Sequence, residues 1–257
     1  MPIPFANVGS PIEGERQIAL VPIAKRLRVV IQGRTIAESL RASLLLERGR
    51  RPTYYFPRED VRTELLEPGS ERTRSERIGD AAFWSLRAGG RRIENALWSY
   101  DAPNAEIAAI KGLFAFDPAK VDHWYEEDEE VFGHPRDPYH RVDVRASDRR
   151  VRVTFAGETV AETQRALFLF ETGHATRYYI PPQDVRFALL EPSMTRTTCP
   201  YKGTASYWSL RAGGQTVRDA TWSYQDPLPD CPRIKGYLAF YPERVAIEVE
   251  GETPTGG

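Results

Sequence analysis

Val151-Arg152-Val153-Thr154-Phe155-Ala156-Gly157-Glu158-Thr159-Val160-Ala161-Glu162-Thr163 decides the fold class. Its first five residues alternate apolar and polar, Ala156-Gly157-Glu158 supplies a turn, and Thr159 to Phe170 returns with β-branched and aromatic content. That pattern reads as a strand, a turn and a strand. Working outward, residues 206–210 and 216–224 flank Ala212-Gly213-Gly214 as a second hairpin. Tyr237 to Tyr241 and Val245 to Val249 add strands on either side of Pro242-Glu243, where proline favours a turn. Helical signal is confined to residues 181–190, where Pro181 opens the segment and Val185, Leu189 and Leu190 share a face, and Pro192 stops it. Short strands every ten residues or so, with one short helix, predict a mainly β domain, either a folded sheet or a small barrel.

The same text occurs earlier in the chain. Tyr54-Tyr55-Phe56-Pro57 answers to Tyr178-Tyr179-Ile180-Pro181, and Phe83-Trp84-Ser85-Leu86-Arg87-Ala88-Gly89-Gly90 to Tyr207-Trp208-Ser209-Leu210-Arg211-Ala212-Gly213-Gly214. Gly33 and Gly157, Trp84 and Trp208, and Gly112 and Gly236 are each 124 positions apart, so the register never slips. The chain is therefore expected to hold two tandem homologous small β domains. A first repeat, the more degenerate copy, covers residues 24–124, an ordered acidic and proline-containing connector 125–147, and a second repeat 148–251. Trp124, Tyr125, Phe132 and Tyr139 argue that the connector packs rather than swings as a flexible linker. Residues 1 to about 15 and the tail from Glu252 carry no periodicity and are expected to be disordered.

At 257 residues the chain is long enough for two such cores. Lys plus Arg at 35 against Asp plus Glu at 36 leaves a formal charge of −1, so no global field draws the protein to nucleic acid or anionic membrane. No run of apolar residues is long enough to cross a bilayer, and no leader pattern opens the chain, which predicts a cytoplasmic protein without nucleic-acid or membrane partners. Cys199 and Cys231 are too few for a disulfide framework and lack zinc-ribbon spacing. His134 and His140 lie on a segment that prolines keep extended, so no metal site is expected there. Phosphate cradles of the GxGxxG or GxxxxGK[ST] type and a GxSxG elbow are missing, which disfavours the common nucleotide-dependent and serine-hydrolase chemistries.

Where two copies share a residue, folding explains it; where they differ, one copy has kept something of its own. The sharpest difference is Cys199-Pro200-Tyr201-Lys202-Gly203 against Ser75-Glu76-Arg77-Ile78-Gly79. A cation beside a thiol favours the thiolate. One reading is thus an enzyme with Cys199 as nucleophile or redox centre, Lys202 lowering its pKa and Tyr201 donating a proton. The leading reading is a pocket in the second repeat walled by Tyr178, Tyr207, Trp222 and Tyr224, where Lys202, Arg196 and Glu191 orient a small polar or anionic molecule. A third is an interaction module working through Glu126-Glu127-Asp128-Glu129-Glu130. No cofactor is specified.

Val151-Arg152-Val153, Leu189-Leu190-Glu191-Pro192-Ser193, Thr198-Cys199-Pro200-Tyr201-Lys202-Gly203-Thr204, Thr221-Trp222-Ser223-Tyr224 and Gly236-Tyr237-Leu238-Ala239-Phe240-Tyr241, in that order, resemble the domain-of-unknown-function family numbered 427. The resemblance spans nearly all of the second repeat, and the first departs from it at Ser75 to Ile78. It implies an architecture similar to the β-tent group, which includes the methionine sulfoxide reductase B fold and the thalidomide-binding domain of cereblon, although the paired CxxC zinc ligands of that group are absent here. The family also carries a nucleotidyltransferase label (type 9), for which this sequence offers no supporting residues, and a shared fold does not transfer a function.

Overall fold

The computed structural model describes residues 10–12 and 14–252; the remaining terminal residues, on which part of the expected disorder falls, lie outside the described residues. Of the segments expected to be disordered, residues 11–12 and 14–15 form turns, and the Arg48 guanidinium donates to the carbonyls of Ile12 and Gly14. The chain divides into two compact units, residues 1–139 and 140–257. The connector expected at 125–147 is thus shared out between them.

In the second unit, β13 (Val151–Phe155) and β14 (Glu158–Thr163) form the hairpin read from the opening stretch, and β21 (Ala246–Val249) joins the other edge of β13. The turn needs two successive left-handed residues, and Ala156 at φ +48° and Gly157 at φ +78° supply them. A second sheet pairs β12 (Val142–Ala146), β15 (Leu167–Glu171) and β16 (Arg177–Tyr179). The third is a meander of β17 (Leu190–Cys199), β18 (Gly203–Ala212), β19 (Gln215–Tyr224) and β20 (Leu238–Phe240). No sheet among the described residues closes on itself, so the folded-sheet expectation holds and the barrel alternative does not.

The first unit repeats this plan. Its meander runs through β6 (Leu66–Ser75), β7 (Gly79–Ala88), β8 (Arg91–Tyr100) and β9 (Phe114–Phe116). β1 (Ile18–Pro22), β4 (Ser43–Glu47) and β5 (Thr53–Tyr55) form one small sheet. β2 (Leu27–Ile31) and β3 (Arg34–Ser39) form the other with two connector strands, β10 (His123–Glu126) and β11 (Glu129–Val131).

The short helix expected in each repeat is two separate single turns of 3₁₀ helix, Pro182–Asp184 and Phe187–Leu189 in the second repeat and Arg58–Asp60 and Thr63–Leu65 in the first. Val185, which interrupts them, has extended backbone angles and bridges Ala161. Pairing with β14 therefore overrode the helical spacing of Val185 and Leu189, since one buried strand contact outweighs a nucleus too short to propagate.

Each unit has two hydrophobic clusters, and the long meander covers both. Ala205 and Tyr207 face one cluster with Leu169, Tyr179, Trp222, Tyr224 and Cys231; Leu210 faces the other with Val151, Val153, Phe168 and Phe240. Tyr207 and Leu210 are an odd number of positions apart and so point to opposite faces of β18, which lets the two faces of the sheet serve the two clusters. Between Trp208 and Leu210 the register with β19 shifts, because β19 advances four residues from Thr221 to Val217 while β18 advances two.

Candidate functional site

The Pro200-Tyr201-Lys202 turn links β17 to β18 at the closed end of their ladder, where Cys199 pairs with Gly203. Gly203 has φ +99°, and a Cβ there would stand 3.3 Å from the Asp226 carbonyl. Glycine thus lets residues 226–228 close over the turn, and Leu228 N–H donates to the Lys202 carbonyl at 3.1 Å. That closure buries Lys202 to 7 % exposure.

A buried ammonium requires acceptors. Lys202 Nζ donates to Glu171 Oε1 at 2.5 Å, and the same oxygen lies 3.0 Å from His140 Nε2. Glu171 ends β15, the strand Leu-Phe-Leu-Phe-Glu, so the apolar side chains that bury the strand carry its last residue inward with them. Burial by itself would raise the Glu171 carboxyl. The hydrogen bond and charge of Lys202, helped by His140 and His174, outweigh it and hold the group below the ordinary carboxylate range.

Aromatic groups complete the cluster. The Tyr201 ring stacks on His140 at 4.2 Å between centroids and 24° between planes, and His174 meets His140 edge-on at 5.8 Å. His174 Nδ1 lies 2.9 Å from the Thr172 carbonyl, which fixes its tautomer. Ligand atoms of His140, Glu171 and His174 lie within 4.8 Å of one another, as a metal trio would. Lys202, however, already holds the cationic position on Glu171, and a divalent ion would meet that ammonium at the same oxygen.

The residues singled out from sequence separate into three groups. Lys202 and Tyr201 meet in this cluster. Tyr207, Trp222 and Tyr224 are buried in the adjoining core, where Trp222 Nε1–H donates to Tyr179 at 3.2 Å and Tyr207 is 2.7 Å from Thr197 Oγ1. Burial raises the phenols of Tyr179 and Tyr224, and both stay protonated at neutral pH.

The remaining residues lie apart. Tyr178 donates to Glu252 at 2.6 Å, Glu191 pairs with Arg211 on the surface, and Arg196 donates to the carbonyls of Ser193 and Thr195. Cys199 is half-buried, and its thiol has no hydrogen-bond partner among the described residues. Cys231 is buried, and desolvation pushes its thiol up to about 11.

The first repeat solves the same problem with different chemistry. Glu47, 124 positions before Glu171, is equally enclosed, but Arg77 reaches it at 3.2 Å and Arg50 at 3.4 Å, while Ile78 fills the place of Lys202. A shared glutamate at the end of an apolar strand was the signal for Glu171. His140, which stands before the second repeat's first strand, gave no such signal.

Fold and site define a tandem all-β protein whose second repeat carries a buried Lys-Glu-His cluster that the first has replaced. Residues 19–127 and 143–251 each match the model of the domain of unknown function DUF427, and the chain belongs to that family as a tandem pair. The search of curated proteins found no match.

Proposed function

We propose that the protein binds a small polar or anionic molecule at the Lys202 cluster of the second repeat. The observation that carries this is the hydrogen-bond count at Lys202: an ammonium with three donors, enclosed to 7 % exposure, has Glu171 as its one side-chain partner among the described residues. Two N–H groups remain for a ligand oxygen, and buried donors without acceptors are costly enough that proteins rarely retain them. The stacked Tyr201 and His140 rings supply a flat wall beside them. Tyr207, Trp222 and Tyr224 support that wall from the core, so the recognition residues are Lys202, His140 and Tyr201, with Glu171 setting the charge.

The enzymatic alternative would rest on Cys199, whose thiol has no hydrogen-bonded base among the described residues, so binding is the better-supported reading. Two free thiols fit the reducing cytoplasm. No helix among the described residues is long and apolar enough to cross a membrane.

Thermal-shift and calorimetric titration of the full chain with a panel of carboxylates, phosphates and neutral amides tests the reading. Binding that Lys202→Met abolishes and Cys199→Ser spares is expected. A ligand held equally well by Lys202→Met, or lost with Cys199→Ser, would remove Lys202 from the role.

A further inference from the structure

The second repeat covers its central indole with two side chains whose equivalents the first repeat lacks, although Phe83 packs on the first repeat's indole at 5.9 Å. Trp222 has the Tyr241 ring at 4.4 Å between centroids, inclined by 41°, and the Arg177 guanidinium at 5.9 Å. Trp98 is the corresponding residue of the first repeat, but the positions 124 before Tyr241 and Arg177 carry Asp117 and Thr53. A ring and a guanidinium are missing, and Trp98 is correspondingly only half-buried.

A cavity of about 400 Å³ lies at that place. Thr53, Tyr54, Trp98, Phe116 and Trp124 line it, with Arg51 among the residues at its boundary. Its size is that of small-molecule sites. The walls are set in advance. Trp98 Nε1–H donates to Tyr55 at 3.0 Å, and Trp124 packs 6.1 Å from Phe56 and 6.2 Å from Phe116. Trp124 Nε1 is buried without an acceptor, so the indole offers the cavity ring surface. This wall is specific to the first repeat: Trp124 pairs with Val29 in the ladder, and the residue that pairs with the equivalent Val153 is Ile247. Little ordering cost is left for a guest, because the rings that would contact it are already held.

We propose that this cavity is a second binding site, distinct from the Lys202 cluster, for a flat aromatic molecule carrying an anionic group. The ring takes the place that Tyr241 fills over Trp222, and the anionic group meets Arg51, which has no ion-pair partner among the described residues. Stacking on indole and benzene rings selects a planar guest over an aliphatic one of equal size.

The test uses naphthoate as probe on the full chain, with cyclohexanecarboxylate as the non-planar acid and naphthalenemethanol as the uncharged ring, followed by calorimetry and ligand-observed NMR. Naphthoate is expected to bind at least about tenfold more tightly than cyclohexanecarboxylate. Filling the cavity with the second repeat's own side chains, Thr53→Arg with Asp117→Tyr, is expected to weaken naphthoate by a similar factor. Asp117 also accepts from Ala119 N–H at the start of a 3₁₀ turn, so Thr53→Arg alone and Trp98→Leu serve as variants that leave that turn intact. Arg51→Gln should weaken naphthoate and leave naphthalenemethanol unchanged. No naphthoate binding by the parent chain, equal binding of cyclohexanecarboxylate, or undiminished binding by Thr53→Arg and Trp98→Leu would each overturn the assignment. Lys202→Met should leave naphthoate unaffected, which separates this site from the one in the second repeat.

Discussion

Lys202→Ile removes the ammonium from Glu171 and leaves a side chain of the kind that the first repeat buries as Ile78. Breaking a buried ion pair from one side costs about 3–5 kcal/mol. The ceiling here is lower, because the stranded carboxyl can take up a proton. Its ordinary value is 4.5, so neutralising it at pH 7 costs about 3.4 kcal/mol, at roughly 1.36 kcal/mol for each pH unit. His140 remains 3.0 Å from Glu171 and recovers part of this, which gives an expected loss of about 2–3 kcal/mol at pH 7. At pH 5 the same arithmetic leaves less than about 1 kcal/mol. Native-state hydrogen exchange on peptides from β15 and β18 reads the change locally, as a loss of protection of about 30-fold to 150-fold at pH 7 that nearly vanishes at pH 5. Adding Tyr201→Arg grafts the first repeat's solution, in which Arg77 reaches Glu47 at 3.2 Å, and should restore most of the protection. Equal losses at both pH values, or no rescue by the double variant, would refute the pairing as the source of stability.

The depressed Glu171 carboxyl makes its own stabilisation pH-dependent: present above the ordinary 4.5, it is lost as pH falls through the lower native value, so Glu171→Gln should flatten acid unfolding of the second repeat; an unchanged acid transition would contradict this. Cys231, buried and pushed up to about 11, should alkylate far more slowly than half-buried Cys199 in the native protein at pH 8, as mass spectrometry of iodoacetamide-treated chain can show. Gly157→Val places a β-branched residue at φ +78° and should cost about 1–2 kcal/mol in urea unfolding, whereas Gly157→Asn should cost clearly less; equal stabilities would show that the hairpin turn had changed type.

Strands and turns were legible because their signals are local. Alternation in residues 151–155 and the left-handed pair Ala156-Gly157 fix a hairpin without help from distant residues. The 181–190 segment misled because its helical spacing is also local, while the contact that decided it, Val185 bridging Ala161, spans the domain. Of the site, the divergent loop pointed to Lys202 and Tyr201. Glu171, which gives Lys202 its meaning, lies 31 positions before it, and His140 a further 31 positions before Glu171. Tyr207, Trp222 and Tyr224 form an aromatic face by strand periodicity, but periodicity cannot say whether a face meets a ligand or a core.

Sequence by itself determined a mainly β chain of two homologous repeats, since hydrophobic alternation, turn residues and a constant offset of 124 are all properties of the chain read in order. Tertiary structure decided which charges are enclosed and which rings are covered. Burial turns Lys202 and Glu171 from two ordinary surface residue types into a pair that needs further partners, and the loss of two covering side chains opens a cavity in one repeat where the other is filled. Both follow from solvent exclusion, which depends on what lies across space from a residue and not on what lies beside it in the chain.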